Sequence, residues 1–382
     1  MKIAVVLPSS EPYSQHHGGA LARWVHEVYP LIGSVQVDVF TPSWDTDFYP
    51  SLKIRKIGFS TIKYKSRFNI INRVCEFINH YTYPVQIALR IKLNKYDAIH
   101  ILNRCYYVDI LKRINKDAKV ILHLQNDNLE QLPIEARYKI ISKVDLLLNC
   151  SNYLSNKAIM ISNLSDRRKI KTIYNGANQN RFALVQNKSF NEQSPKILFV
   201  GRLVKEKGVD LLIRAFLGVL NAIPGAELHI VGSLHFGDNR VDEFISHLQE
   251  LSINQSSIFF HGFVPNDKLH TFYSSASLFV CPSVWEEPFG MVIAEAMLSG
   301  VPVIASNRGG IPEVLGDCGV TIDPEDIGCF SKAIVALLTD KGDLERYSKL
   351  GRERILRTFT WEVIAENMIK ILEESFNGIA SK

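Results

Sequence analysis

The stretch Ile197-Leu198-Phe199-Val200-Gly201-Arg202-Leu203-Val204-Lys205-Glu206-Lys207-Gly208 decides the fold. Its first four residues are apolar and predict a buried strand, and the stretch then passes through a polar loop into an apolar helical pattern at 209–220. Strand, loop and helix in this order are typical of a parallel sheet. Arg202 and Lys207 lie between the strand end and the helix start, where they would form a pocket for a diphosphate. The alternative for Lys205 and Lys207 is plain surface charge at the helix entry.

The same alternation of short apolar runs and longer amphipathic stretches continues on both sides of this segment. It runs through the first half of the chain and restarts after a polar stretch at 186–194. Two successive β/α series predict two doubly wound parallel sheets. We expect strands at 2–7, 35–40, 97–102, 119–124, 145–149, 171–174, 196–200, 227–231, 258–261, 278–281, 301–305 and 319–322.

Length and composition indicate an ordinary globular protein of two domains. The chain has 382 residues, 46% hydrophobic and 22% charged. Its six cysteines form no CxxC pair and are not spaced as metal ligands are, so we expect buried thiols in a reducing compartment and no metal site. The first strand is followed by Pro8, too early for the apolar core of a signal peptide. We therefore expect a cytoplasmic protein, unless it sits on a membrane surface.

Several common phosphate-binding and hydrolytic motifs are missing from the sequence. No GxGxxG follows the first strand of either half, and there is no GxxxxGK[ST] phosphate loop or Gly-x-Ser-x-Gly elbow. These absences argue against a nicotinamide dehydrogenase, a P-loop kinase and an α/β hydrolase. The loop after the first strand does contain Gly18 and Gly19 just before an amphipathic stretch. Glycines there let backbone amides approach an anion, although a plain tight turn would look the same.

The two halves of the chain carry opposite net charge. Residues 1–180 contain 25 Lys and Arg against 14 Asp and Glu, and residues 181–382 contain 19 against 25. The densest basic stretch, Lys53 to Arg73, has interleaved aromatic and aliphatic residues and no acid. It is either a solvated basic face or a surface for an anionic membrane or acceptor. Nucleic acid is not expected, because no recognition-helix, zinc-finger or RNA-binding signature accompanies the charge.

Two carboxylates in the second half stand beside an apolar helix pattern. Glu287 precedes the helix that Pro288 and Gly290 open, and Glu295 lies about two turns inside it. A buried carboxylate needs a partner, and sugar hydroxyls are suitable ones. Glu287 and Glu295 would then bind two sugar rings of one ligand, with the backbone amides of Phe289, Gly290 and Met291 meeting a phosphate between them. A buried ion pair with a lysine or arginine is the alternative.

The segment from Glu287 to Glu295 resembles the E-x7-E motif of retaining GT-B glycosyltransferases of family 4, the glycosyl transferases group 1. The resemblance spans nearly the whole chain and is more specific in the second half. It implies two Rossmann-like domains facing each other across a cleft, with the C-terminal helix crossing back to the first: 1–177 plus 363–382 on the acceptor side, and 178–362 for the donor. The other matching motifs are Tyr174-Asn175-Gly176-Ala177, Gly201-Arg202 through Lys207-Gly208, His261-Gly262-Phe263-Val264-Pro265 and Ser306-Asn307-Arg308-Gly309-Gly310-Ile311-Pro312-Glu313.

The resemblance also implies roles for particular residues. Arg202 and Lys207 would bind and stabilise the donor diphosphate, Glu287 would hold the transferred sugar, and Glu295 the ribose. Phe263 and Val264 would lie beside the nucleobase, and Gly18 and Gly19 would face the phosphate from the first domain. The donor would be a UDP-, GDP- or ADP-linked sugar, with no cofactor. With two fixed cations at the leaving group no metal is needed. We ascribe the DxD-like Asp45-Thr46-Asp47 to chance.

One position departs from the family pattern. Where such enzymes commonly have a histidine at the end of a first-domain strand, this chain has Gln125, and His123 lies two residues earlier on the same side of the strand. Either side chain could meet the donor sugar. A glutamine cannot carry a proton near neutral pH. In the retaining mechanism proposed for such enzymes, however, the departing phosphate oxygen accepts the acceptor's proton.

The sequence therefore predicts a retaining, metal-independent glycosyltransferase acting on a glycan or lipid-linked acceptor, in cell-envelope polysaccharide or glycolipid synthesis. We place it in the cytoplasm or at the inner face of the cell membrane, with peripheral contact through Lys53 to Arg73. Two alternatives are a GT-B sugar-nucleotide epimerase and a non-catalytic sugar-nucleotide-binding partner of another transferase. The combination of Arg202, Lys207, Glu287 and Glu295 argues against both.

Overall fold

A computed structural model gives the chain as two compact units. The first comprises Met1–Tyr174 with Ile364–Lys382, and the second Asn175–Val363. The structure describes residues 1–15, 19–58, 69–163, 165–182, 193–233 and 242–376, and for 69–80 it describes the helical backbone only.

The first unit contains a seven-stranded parallel sheet of order β3-β2-β1-β4-β5-β6-β7. Its strands are β1 (Lys2–Val6), β2 (Gln36–Pro42), β3 (Lys53–Ile57), β4 (Ala98–Leu102), β5 (Lys119–Leu124), β6 (Leu146–Asn149) and β7 (Ile170–Thr172). Its helices are α1 (Ala20–Val28), α2 (Asn69–Asn94), α3 (Tyr107–Ile114), α4 (Ile134–Lys143) and α5 (Asn152–Met160).

The second unit contains a six-stranded parallel sheet of order β10-β9-β8-β11-β12-β13. Its strands are β8 (Lys196–Val200), β9 (Glu227–Val231), β10 (Ile258–Phe260), β11 (Leu278–Cys281), β12 (Val303–Ser306) and β13 (Val320–Ile322). The helices that follow are α6 (Val209–Ala222), α7 (Glu243–Leu251), α8 (Leu269–Ser275), α9 (Met291–Leu298), α10 (Ile311–Leu315), α11 (Ile327–Thr339), α12 (Lys341–Thr358) and α13 (Trp361–Ser375).

The central strands of both sheets are apolar and buried. Every residue of β4 and of β11 is buried, although β4 includes a histidine, His100. Such near-continuous apolar runs are typical of parallel strands. In the second unit, α6 packs its buried face, which includes Leu212 and Phe216, into one cluster with residues of β8 and of α11. In each sheet the order of strand addition reverses at one pair of neighbouring strands, β1 with β4 and β8 with β11. Ligands of such sheets bind beyond the carboxyl ends of these strands.

The prediction of two parallel sheets is confirmed, and each of the twelve expected strands is present within two residues of its expected bounds. The sequence reading missed β3, whose pattern Lys-Ile-Arg-Lys-Ile was interpreted only as part of a basic stretch. β3 lies at the sheet edge, where charged side chains reach solvent, so its apolar signal is weak. Helix α13 begins in the second unit, and from Ile364 onward its residues belong to the first, where Lys171 Nζ lies 3.2 Å from the Glu374 carboxylate.

Candidate functional site

The carboxyl ends of β8 and β11 in the second unit are joined through a tight turn. After β8 the chain forms a 3₁₀ turn at Lys205–Lys207 and reaches Gly208, which has a φ of +66°. A Cβ at Gly208 would lie 2.1 Å from the carbonyl oxygen of Pro282, so only glycine fits there. The backbone N–H of Val284 and the Ser283 hydroxyl both donate to the carbonyl of Glu206, at 3.0 Å each. The turn after β8 is thereby held against the loop after β11.

This contact brings Lys207 and Glu287 together. The Lys207 ammonium forms an ion pair with Oε1 of Glu287. Ser283 Oγ lies 2.9 Å from the same oxygen, and its single proton is shared between this carboxylate and the Glu206 carbonyl. The Lys207 Nζ also lies 5.4 Å from the centroid of the Trp285 ring. Glu287 is only 7% exposed, and a buried charge needs partners; here these are the Lys207 ammonium and the Ser283 hydroxyl. The ion pair considered for the two carboxylates in the sequence is thus present at Glu287.

The backbone around Glu287 is fixed by the glycine pair of the Ser306–Glu313 motif. Gly309 has a φ of +59°, and its N–H donates to Oε2 of Glu286 at 2.5 Å. The Gly310 N–H donates to the carbonyl of Glu287 at 2.7 Å. A Cβ at Gly309 would lie 2.2 Å from that same carbonyl oxygen, so this motif has a positioning role.

Glu295 lies inside α9 and is 4% exposed. The hydroxyl of Tyr273, on α8, donates to its Oε2 at 3.1 Å. Helix α9 begins after Gly290, whose φ is +101°, and Phe289 before it is buried with its ring 5.7 Å from that of Phe359. Gly290 and Met291 are half-buried, so the backbone at the start of α9 is partly accessible.

The remaining predicted residues of the second unit lie in the neighbouring loops. Arg202 is exposed in the loop after β8. Phe263 and Val264 are half-buried in the loop after β10, which the backbone bond from Gly232 N–H to the carbonyl of Gly262, at 2.8 Å, ties to the loop after β9. All of these loops follow the carboxyl ends of the strands, the ligand-binding edge of such a sheet.

In the first unit, His123 is fully enclosed by other rings. It stacks on His100, with ring centroids 5.3 Å apart, and lies edge-on to Trp24 at 4.7 Å. Burial and the neighbouring His100 hold the pKa of His123 well below its usual range, and burial lowers the pKa of His100 to about 3. Both histidines are therefore neutral at physiological pH. Among the residues that the structure describes, neither ring nitrogen of His123 has a hydrogen-bond partner.

Gln125 lies one residue beyond the end of β5 and is half-buried. Its backbone N–H donates to Oδ1 of Asn103 at 2.7 Å, and Asn103 has a φ of +53°. Both atoms of the Gln125 side-chain amide are enclosed and have no hydrogen-bond partner within the described part of the chain. An enclosed amide without partners is unfavourable, which favours a ligand at this position.

Gly19 precedes α1, and the side-chain carboxylate of Glu11 lies against the start of this helix. The Ala22 N–H donates to Oε1 of Glu11 at 3.0 Å, and burial raises the pKa of Glu11, although the backbone N–H groups of Ala22, Leu21 and Gly19 and the charge of Arg104 oppose this shift. Gly18 lies outside the described residues. Asp45 is buried and its Oδ1 accepts from the N–H groups of Thr46 and Asp47, at 2.6 and 3.0 Å, so it stabilises its own turn.

Comparison with known proteins agrees with this geometry. Residues 180–354, which include the turn after β8 and both carboxylates, match the model of the family "Glycosyl transferases group 1". They form a glycosyl transferases group 1 domain. This match confirms the resemblance to glycosyl transferases group 1 recognised in the sequence, for the residues that it covers.

Relatives and solved structures extend the similarity to the whole chain. Spore coat protein SA of Bacillus subtilis (strain 168) is 29% identical over 98% of this chain and 100% of its own length, and the putative glycosyltransferase YtcC of the same strain is 28% identical over 96% and 91%. Anabaena Alr3699/HepE, solved with UDP and glucose, is 19% identical with a TM-score of 0.74 over 98% of this chain and 100% of its own. Sucrose-phosphate synthase from Thermosynechococcus elongatus has the same TM-score at 22% identity, over 98% and 99%. The fold class is therefore confirmed as GT-B.

Sequence reasoning missed four side chains that shape these sites. Ser283 and Tyr273 donate to the two carboxylates, and Glu11 accepts at the start of α1. None of them carries a motif signal: Ser283 lies only four residues before Glu287, and Tyr273 and Glu11 lie 22 and 11 positions from their partners. The fourth is His100, for which the sequence did contain a signal, since it is the one polar residue in the apolar strand β4.

Proposed function

We propose that this glycosyltransferase transfers a sugar from a nucleotide-sugar donor to a hydroxyl of a glycan or lipid-linked acceptor, with retention at the anomeric carbon. The single observation that carries the proposal is the group of Lys207, Ser283 and Glu287 at the carboxyl ends of β8 and β11. Residues 178–362 form the donor-binding domain, and 1–177 with 363–382 the acceptor-side domain.

The donor diphosphate takes the place of Glu287 as the partner of Lys207. A diphosphate carries more charge than one carboxylate, and Arg202, exposed in the same loop, adds a second cation. Once Lys207 turns to the phosphate, the Glu287 carboxylate is free to accept from hydroxyls of the transferred sugar. The ion pair thus joins two groups that would each bind a different part of the donor.

The rest of the nucleotide follows the edge of the second sheet. Glu295, buried and held by Tyr273, accepts from the ribose hydroxyls, and the amides of Phe289, Gly290 and Met291 face the phosphate. Phe263 and Val264 border the base. The assignment of Gly18 and Gly19 to the phosphate stays a prediction, because Gly18 lies outside the described residues and the Glu11 carboxylate accepts from the amides at the start of α1. UDP is the first nucleotide to test, because the HepE structures hold UDP and UDP-glucose, with GDP and ADP as the alternatives.

In the transfer step, the bond between the anomeric carbon and the phosphate oxygen breaks and the acceptor oxygen bonds to the same face of that carbon. The acceptor's proton passes to the departing phosphate oxygen, so no side-chain base is required. Arg202 and Lys207 stabilise the charge that develops on the diphosphate, without a metal ion. Gln125 rather than His123 meets the donor sugar: polar atoms of both side chains lack partners among the described residues, but Gln125 is half-buried whereas His123 is fully buried between two rings.

The acceptor is a lipid-linked or otherwise anionic glycan of the cell envelope, handled in the cytoplasm at the inner membrane face. The excess of 25 cations over 14 acids in residues 1–180 supports this. Of the basic stretch Lys53 to Arg73, the structure describes the first three cations: Lys53 and Lys56 are exposed, and Arg55 pairs with Asp38 at 2.9 Å. The cations at 63–67 lie outside the described residues. No described helix is long and apolar enough to cross a membrane.

The proposal is tested by separating donor binding from transfer. After a thermal-shift screen of UDP, GDP, ADP and their sugars, we expect Lys207→Ala and Glu295→Ala to weaken donor binding by about ten- to a hundredfold, the range for a charged hydrogen bond. Glu287→Ala should mainly lower kcat, because Glu287 touches the moving sugar.

Transfer should persist in excess EDTA, because Arg202 and Lys207 rather than a metal ion stabilise the leaving diphosphate. Incubation with the sugar nucleotide alone, without an acceptor, tests the epimerase alternative: an epimerase would convert the sugar of the donor, whereas a transferase would form no transfer product.

Lys205→Ala is the matched control for Lys207→Ala. Lys205 is exposed in the same 3₁₀ turn, so losing its charge should leave donor affinity unchanged. Equal losses in the two variants would reduce Lys207 to general surface charge. Unchanged nucleotide affinity in Glu295→Ala would contradict the ribose assignment, and an absolute need for magnesium or manganese would contradict the role of the two cations.

A further inference from the structure

Helix α2 carries a row of exposed apolar side chains in its described C-terminal half. Tyr81, Val85, Leu89 and Leu93 recur every four residues and are 36%, 36%, 54% and 82% exposed. We call these four residues the α2 ridge. At this spacing they share one side of the helix, and the buried residues of the same segment, such as Ile87, lie on the opposite side in the core of the first unit. The ridge is therefore not needed to attach α2 to its own sheet.

The charges around the ridge are of one sign. Residues 81–96 contain three cations, Arg90, Lys92 and Lys95, and no acid. Arg90 Nη1 donates to the carbonyl of Lys56 at 2.6 Å, which ties this face of α2 to the edge strand β3. The exposed Lys53 and Lys56 of β3 continue the positive surface. An apolar row with a cationic border is the pattern of a helix that lies in the interface of an anionic bilayer.

We propose that the α2 ridge docks the protein on an anionic lipid surface. The inference deepens the proposed function, since it names the element that holds the enzyme beside a lipid-linked acceptor. From Tyr81 to Leu93 the ridge extends for about 18 Å along the helix, long enough to lie flat in the headgroup region. Leu89 and Leu93 insert, while the lysines and Arg90 remain among the lipid phosphates.

A second copy of the chain fits this surface less well. A two-fold contact places the same patch on both subunits, and would bring Arg90, Lys92 and Lys95 of one copy against those of the other. Like charges facing one another in a partly dehydrated contact are repulsive. An anionic bilayer instead neutralises the cations and covers the leucines.

The test is co-sedimentation of the full chain with phosphatidylglycerol-containing vesicles and with pure phosphatidylcholine vesicles. Wild-type protein should bind the anionic vesicles at low salt and bind phosphatidylcholine weakly, and binding should weaken with salt as the charges are screened. The double variant Leu89→Asn/Leu93→Asn should bind anionic vesicles about tenfold or more less tightly, because each inserted leucine contributes apolar burial. Both leucines are exposed, so circular dichroism should show an unchanged fold.

Ile253→Asn/Leu350→Asn is the matched control. Ile253 and Leu350 are 66% and 37% exposed in the second unit, and losing them should leave vesicle binding unchanged. The inference is overturned if wild type ignores anionic vesicles at low salt, or if the ridge variant binds as wild type does. It is equally overturned if ultracentrifugation shows a dimer that the ridge variant abolishes and wild type does not bind vesicles. Donor affinity, measured in parallel, tests the proposed function separately, because no ridge residue belongs to the donor site.

Discussion

At the scale of single residues, the sequence predicted the charged groups better than the groups that hold them. Lys207 and Glu287 stand out because charge beside an apolar strand or helix has to be satisfied. Their meeting, however, depends on Ser283 and on Gly208, which contact Glu206 and Pro282 across more than seventy positions of the chain. His123 and Gln125 show the same limit. Strand alternation places them on one side, but only the packing of Trp24 and His100 shows that the histidine is enclosed.

We expect Gln125 and His123 to respond differently to truncation. Gln125→Ala should lower kcat/KM for transfer about three- to tenfold, the range for one neutral hydrogen bond, with little change in the free energy of unfolding. His123→Ala should lower the free energy of unfolding by about 2 to 4 kcal/mol, because it leaves a cavity between two rings. Steady-state kinetics and urea unfolding measure the two effects. Gln131→Ala, at an exposed glutamine of the same unit, is the control. A large loss of stability in Gln125→Ala would make that side chain structural.

At the scale of elements, tight turns after the strands set the geometry of the candidate site. The sequence predicts the strand and helix on either side of Gly208 from their apolar patterns. It does not reveal that the turn touches the loop after β11, because that contact comes from the order β8-β11 in the sheet. Strand β3 was missed for a related reason, since an edge strand needs no apolar alternation of its own.

Gly208→Ala should damage both stability and donor binding. A Cβ there combines a positive φ with a backbone clash, so we expect a loss of about 2 to 4 kcal/mol in the free energy of unfolding. Donor affinity should fall as well, because the turn carries Lys207. Calorimetric unfolding and nucleotide titration give the two values. Gly33→Ala is the matched control, since a Cβ at Gly33 meets nothing within 4 Å. Normal stability in Gly208→Ala would mean that the turn shifts without cost.

At the scale of the whole molecule, the two units share one strand order but differ in charge and in buried ionisable groups. The first unit encloses His100 and His123, both fully buried, whereas in the second unit His261 has a lowered pKa but is exposed. The shared β/α rhythm made the fold predictable from sequence. The buried histidine pair was not predictable, because it forms between neighbouring strands whose register only the structure gives.

This difference predicts that acid destabilises the first unit before the second. The pKa values of His100 and His123 lie below the unfolded value of about 6.5, so the unfolded chain binds more protons and stability falls as the pH drops below that value, for His100 down to about 3. At its steepest the loss is roughly 1.4 kcal/mol per pH unit for each histidine. The raised pKa of Glu11 acts in the opposite direction, but it is one group against two. Between about pH 6.5 and 4.5, the usual carboxylates are still ionised, so the histidines dominate the pH dependence of stability.

Hydrogen exchange should show peptides of β4 and β5 losing protection at a higher pH than those of β8 and β11. His270→Asn, at an exposed histidine, should leave this order unchanged, whereas simultaneous loss in both units would show that the two rings do not control acid stability.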